Sequence, residues 1–142
     1  MQDTRFNTPE QAEQAFYEAF AAGDLDRMMA VWSPADYIEC IHPMSERLLG
    51  ISAVRKSWQE IFNPPAKLDI RLSGQRYTTS ATLSVHVVEE NMTLLETHRR
   101  QSLILATNVY ELTDAGWRMI LHHASPSPQQ RESSPSRSDL IH

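Results

Sequence analysis

The chain has 142 residues, with 13 Lys and Arg against 18 Asp and Glu for a formal charge of −5, which suits one acidic domain and argues against nucleic acid as a partner. Apolar residues make up 41% and charged ones 22%, enough to fold around a real core, yet no run nears the roughly 18–20 apolar residues of a membrane span. The start, Met1 to Phe6, has no apolar signal core, so a cytoplasmic location without a membrane partner is expected, and the single cysteine, Cys40, excludes an internal disulfide or a multi-thiolate zinc site.

Thr8-Pro9-Glu10-Gln11 reads as a helix start, with Thr8 as N-cap and Gln11 placed to bond back. Ala12, Ala15, Phe16, Ala19 and Phe20 then fall on one face. Gly23 can close that helix in the left-handed conformation, and Asp24 can cap the next at once. Leu25, Met28, Met29 and Trp32 repeat the helical spacing before Ser33-Pro34. Residues 37–42 form a short candidate strand in which Ile38, Cys40 and His42 share a face. A third helix follows Gly50, with Ile51, Val54, Trp58, Ile61 and Phe62 as its apolar face and Pro64-Pro65 as its stop.

From Leu68 the period becomes two. Leu68, Ile70 and Leu72 alternate with polar residues, as do Leu83, Val85 and Val87. Gly74 reads as an interruption, and residues 91–101 as a hairpin extension or a loop. Residues 103–112 and 117–124 are two further strands joined at Thr113-Asp114-Ala115-Gly116. On the first, Ile104, Ala106, Asn108, Tyr110 and Leu112 share a face, a mostly apolar wall with two polar handles. From Ser127 to His142 there is no aromatic residue, and Ser, Pro and Gln dominate. The expected division is therefore a domain over 1–126 and a disordered Ser/Pro-rich tail over 127–142.

Helices first and hairpin-joined strands afterwards is an α+β order. Three helices can cover one side of the sheet, and strands apolar on both faces ask for a second copy on the other, so a homodimer through the sheet is expected.

Several motifs together carry a resemblance: Ala21-Ala22-Gly23-Asp24-Leu25 with Trp32 after it, His42-Pro43 ahead of Gly50, and residues 51–62 around Trp58. Thr107-Asn108-Val109-Tyr110, Gly116-Trp117-Arg118 and His122-His123-Ala124-Ser125-Pro126 complete the set. In this order and spacing, over about residues 8–126, the chain resembles SnoaL-like proteins of the nuclear transport factor 2-like superfamily, ketosteroid isomerase-like and polyketide cyclase-like. The resemblance implies a cone-shaped domain: a strongly curved antiparallel or mixed sheet around three N-terminal helices, with a pocket at the wide end and common dimerisation. Members include isomerases, cyclases, dehydratases, ligand carriers and association modules, so the fold leaves the function open.

The isomerase comparison implies candidate roles. His42 falls where that enzyme carries its general base, and an ordinary histidine pKa of about 6.5 suits the task. Phe16 falls where it carries an oxyanion-binding tyrosine, with Tyr17 about 100° further round the helix. Asn108 falls at its second oxyanion donor and can donate from its amide. Structural readings stand beside these: His42 as a strand-end residue bonded to backbone, Asn108 as a buried bridge. Phe16, Trp32, Cys40, Trp58, Tyr110 and His122 are expected to line the pocket. The six histidines include no metal-binding spacing, and adjacent His122 and His123 point to opposite faces, so no metal or other cofactor is expected. The resulting expectation is a small-molecule-binding domain, with His42 and Asn108 catalytic in an isomerase, cyclase or dehydratase acting on a small apolar carbonyl compound. The alternative is a non-catalytic association module similar to the calmodulin-dependent kinase association domain.

Overall fold

The structure, a computed structural model, describes residues 4–128. Helix α1 (Pro9–Ala22) is followed by α2 (Leu25–Val31), β1 (Glu39–Ile41), β2 (Leu48–Leu49) and α3 (Ile51–Ile61). Strands β3 (Leu68–Thr79), β4 (Leu83–Leu94), β5 (Arg99–Arg100), β6 (Ile104–Thr113) and β7 (Gly116–Pro126) complete it. The expected tail beyond Pro128 lies outside the described residues.

The helix ends obey their local chemistry. Thr8 Oγ1 accepts from the Gln11 amide at 3.1 Å, while Gln11 Oε1 accepts from the Asn7 amide at 2.8 Å, one residue before the usual capping-box partner. Gly23 closes α1 at φ 67°, and Asp24 Oδ1 caps α2 through the Arg27 amide. The buried stripe of α1 is wider than its apolar period, because Glu13 and Tyr17 are buried beside Ala12, Phe16 and Ala19.

The strands form one mixed sheet in the order β2-β1-β7-β6-β4-β3, with β5 paired to β4. β1 runs parallel to β7, and the other pairings are antiparallel. This is the α+β fold that the resemblance implied, a curved, unclosed sheet with three helices. Two bulges bend the long strands. In β3 the register shifts between Ser73 and Arg76, so Gly74 does not break the strand but sits in its bulge at φ 57°. A Cβ there would lie 2.9 Å from Glu89 Cδ, the movable end of a side chain, so it is the backbone angle that calls for glycine. In β7 the shift past Ile120 lets Trp117 and Met119, then His122 and Ala124, all be buried. The uncertain stretch 91–101 resolves into the end of β4, a turn with His98 at φ 58°, and β5.

The core joins Phe16, Ala19, Met28, Val31, Val54 and Trp58 of the helices to Val88, Ala106, Tyr110 and Met119 of the sheet. A large apolar side chain buried this fully contributes roughly 1.5–3 kcal/mol against entropy of similar total size. On β4 the buried positions are Ser84, His86, Val88 and Glu90, whereas Val85 and Val87 are half-buried and Leu83 is exposed. The polar-rich side of this strand therefore faces inward. On β6, Ala106, Asn108 and Tyr110 are buried, Ile104 is half-buried, and Leu112, expected with them, is exposed near the strand end.

Candidate functional site

A cavity of about 350 Å³ opens against the end of β4, the start of β6, and α3. Its apolar wall is Phe20, Pro43, Ile61, Met92 and Ile104; its polar groups are His42, Glu90, Gln101, Ser102 and His122. Strand alternation delivers the titratable groups. Cys40 pairs with His122 in the β1–β7 register, His122 with Asn108 across β7–β6, and Glu90 with Ile104 across β4–β6.

Behind the wall runs a directed chain of buried hydrogen bonds. His122 Nδ1–H donates to Asn108 Oδ1 at 2.6 Å, and Asn108 Nδ2 donates to the Tyr17 hydroxyl at 2.9 Å. Tyr17 O–H then donates to Glu90 Oε2 at 2.5 Å. Each link fixes the next: a phenol whose oxygen accepts from an amide is free to give its own proton to a carboxylate. Among the described residues, Glu90 Oε1 takes no hydrogen bond.

His42 is held differently. Its Nε2 lies 2.9 Å from Ser57 Oγ and 3.5 Å from Cys40 Sγ, and its ring meets the Trp58 ring edge-on at 4.8 Å. Ser57 spends its single proton on the Val54 carbonyl at 2.7 Å, so its oxygen can only accept from His42. That assigns the proton of His42 to Nε2. The rings of His42 and His122 stand 6.1 Å apart.

Burial sets the charges. Glu90 is 1% exposed, and desolvation pushes its carboxyl up to about 7, partly opposed by the bond from Tyr17. Burial lowers His42 to about 4, because nothing anionic beside it rewards the imidazolium. It lowers His122 to about 3, helped by His42 and His123. The ordinary pKa expected for His42 is thus corrected: both imidazoles are neutral and weakly basic at pH 7, and Glu90 is the wall group that titrates near neutrality. Tyr17 stays a phenol, its pKa raised well above 10 by burial and then by Glu90.

Of the expected site residues, His42 and His122 line this cavity, whereas His123 is exposed. Asn108 does not line it. Its amide is spent on Tyr17 and His122, and His122 stands between it and His42. Phe16 and Trp58 pack one layer behind, with Phe16 5.1 Å and Trp58 6.0 Å from the His122 ring. Cys40 is buried in the core, its thiol pushed up to about 12 by burial, which removes any nucleophilic role. Trp32 bridges to Met119, and Tyr110 meets His86 at 5.0 Å, both away from the cavity. Glu90 and Ser57 were missed. Glu90 could have been found, because it shares alternation parity with His86 on β4, but the apolar face of that strand drew attention to the other parity. Tyr17 is buried beside Phe16 on the wide helix face that meets the sheet, but its hydroxyl is spent on Glu90 and does not line the cavity.

A second polar cluster lies apart. Glu13 accepts from Tyr77 Oη at 2.6 Å and pairs with His86 Nδ1 at 3.2 Å, and the Tyr77 and His86 rings stack at 3.8 Å. Among the described residues no group of three or more His, Cys, Asp or Glu could hold a metal ion, and no helix is long and apolar enough to cross a membrane.

The helix-flanked curved sheet is a fold that known relatives share. A family model for the SnoaL-like domain matches residues 10–129, and the chain belongs to that family. A crystal structure from Thiobacillus denitrificans, provisionally assigned as a calcium/calmodulin-dependent protein kinase type II association domain, is 41% identical with a TM-score of 0.79, covering 87% of this chain and 98% of that one. A Streptomyces avermitilis protein of the NTF2-like family, provisionally described as a dehydratase, is 26% identical with a TM-score of 0.75, covering 85% and 95%. The Arabidopsis thaliana F-box protein SKIP8 is 28% identical over 101 residues, and the match spans 71% of this chain but 42% of that protein.

Proposed function

We propose that this chain is a small-molecule-binding SnoaL-like protein that carries out acid–base chemistry, of the isomerase, cyclase or dehydratase kind, on a small and largely apolar carbonyl compound. One observation carries the reading: Glu90, His42 and His122 converge on a single cavity whose other walls are mostly apolar. The cavity volume, about 350 Å³, falls within the range usual for small-ligand sites. Glu90 is the acid–base group, since a carboxyl titrating near neutrality can both take and return a proton. Protonated, it donates to a carbonyl oxygen; ionised, it accepts an α-proton. His42 takes an orienting role in place of the base expected from sequence, and Asn108 acts as a positioning residue through Tyr17 and His122.

Thermal-shift screening of small ketones and aldehydes tests the binding step. Hits are expected to stabilise wild type and to lose most of that effect in His42→Ala and Glu90→Gln; equal shifts in all three proteins would remove both residues from the site. Exchange of α-hydrogens for deuterium in D2O, followed by NMR, tests the chemistry. The wild type should accelerate exchange in its best ligand, and Glu90→Gln should not.

A second reading, an association module, is favoured by the 41% identity to the Thiobacillus denitrificans protein. The outward sheet face supports self-association, with Val85, Val87, Val109 and Leu121 half-buried and Leu105 exposed. A homodimer through that face is compatible with a working cavity on the other side. Light scattering of Val87→Lys against wild type distinguishes them: a halved mass with ligand binding retained makes the assembly separate from the cavity.

A further inference from the structure

The proton assignments of the two cavity imidazoles point beyond a generic apolar ligand. Ser57 Oγ gives its proton to Val54, so His42 donates from Nε2 and keeps a bare lone pair at Nδ1. Asn108 Oδ1 is an acceptor, because the Asn108 amide nitrogen is spent on Tyr17, so His122 donates from Nδ1 and keeps its lone pair at Nε2. Each ring has thus used its one proton on protein. Neither left-over nitrogen takes a hydrogen bond among the described residues, and neither is sealed away as Trp58 Nε1 and Tyr110 Oη are. The residues lining the cavity include no Lys or Arg, and Gln101 and Ser102, the neutral donors there, are both exposed.

We propose that the cavity selects a neutral compound that carries a hydroxyl donor (an alcohol, enol or phenol) on its apolar body, received by the lone pairs of His42 and His122. The inference rests on the carbonyl-compound reading above and adds to it. The hydroxyl meets an imidazole while the carbonyl meets Glu90. A ligand with acceptors alone leaves the imidazole lone pairs unpaired against a largely apolar wall, which costs affinity. An anion is disfavoured more strongly, because it meets three acceptors and no cation. Asn108 and Ser57 become specificity-determining positioning residues, since they decide which nitrogen of each ring is bare.

The test compares 4-hydroxyacetophenone, its methyl ether 4-methoxyacetophenone, and 4-acetylbenzoate by calorimetry on the wild-type full chain. The phenol is expected to bind about tenfold more tightly than the ether, with the carboxylate weakest. An ether as tight as the phenol would overturn the donor inference and leave the cavity reading standing. Failure of all three to bind would overturn the carbonyl reading itself, and the inference with it. Side-chain 15N NMR of the unliganded protein gives a readout independent of any ligand. His122 should carry its proton on Nδ1 and His42 on Nε2, and the opposite tautomer at either ring would overturn the proposal.

Discussion

Two carboxylate–tyrosine–histidine clusters use the same two elements and differ in how far the acid is committed to protein: closed where both carboxylate oxygens are taken, open where one is left. Helix α1 contributes Glu13 to one and Tyr17 to the other, one turn apart on the same face. Strand β4 contributes His86 and Glu90, again on one face. In the closed cluster the acid is on the helix and the histidine on the strand, with Tyr77 stacked on His86. In the open cluster the acid is on the strand, and Tyr17, Asn108 and His122 line up behind it. The closed cluster spends both oxygens of its carboxylate on protein partners. The open one leaves Glu90 Oε1 uncommitted beside empty volume. A carboxylate with both oxygens matched helps to specify the fold, although His86 Nε2 beside it takes no partner among the described residues; one left partly unmatched at a cavity is free to act on a ligand.

Substitutions can break that contrast. The largest effect is expected in the closed cluster, where Glu13→Leu orphans the buried His86 Nδ1 and removes the partner of the part-exposed Tyr77 Oη. A loss of about 4 kcal/mol in urea unfolding is expected, and a loss under 1 kcal/mol would mean the cluster is not structural.

Glu90→Gln should behave in the opposite way. Folded, Glu90 keeps its proton to about pH 7, while its unfolded value is 4.5. Rising pH through that window therefore destabilises wild type, and the penalty is complete above pH 7. Glu90→Gln should be the more stable protein at pH 8 by something on the order of 3 kcal/mol, with the advantage gone near pH 4. A pH-independent difference would contradict the buried-acid account. The histidines carry the reverse sign. His42 and His122 have folded values of about 4 and about 3 against 6.5 unfolded, so they cost stability as pH falls below 6.5, and His122→Gln should flatten that acid limb.

Asn108→Leu should cost about 2 kcal/mol by orphaning buried partners. It should also release His122 to mix its tautomers, seen by 15N NMR, whereas Asn108→Asp retains an acceptor for Nδ1–H and should keep the single tautomer. Tyr17→Phe should cost a similar amount, about 2 kcal/mol, because it removes the bond to Glu90 and leaves Asn108 Nδ2 unpaired. It also raises the Glu90 midpoint further, because the lost bond favours the ionised form.

Much of this architecture was legible in the chain before any coordinates. The Thr8, Gly23 and Asp24 signals mark helix ends because each satisfies or relieves a specific backbone group, which local sequence encodes fully. Strand parity placed Asn108 and Tyr110 together and His122 opposite His123. The site itself was less legible. On β4, Leu83, Val85 and Val87 make the more apolar row, yet Ser84, His86 and Glu90 are the buried ones. Their burial is stabilised by partners from α1, β3 and β6, up to 73 residues away, and periodicity carries no information about such partners. The pKa of His42 was missed for a related reason: desolvation depends on how Trp58, Ser57 and His122 close around the ring.

The central claim is that Glu90 is a proton-exchanging acid at the cavity wall. A 13C NMR titration of its side-chain carboxyl in the unliganded protein tests this most directly. The account predicts a midpoint near pH 7, moved on binding of 4-hydroxyacetophenone and absent from the Glu90→Gln spectrum. A midpoint near the ordinary 4.5, unmoved by ligand, would contradict it.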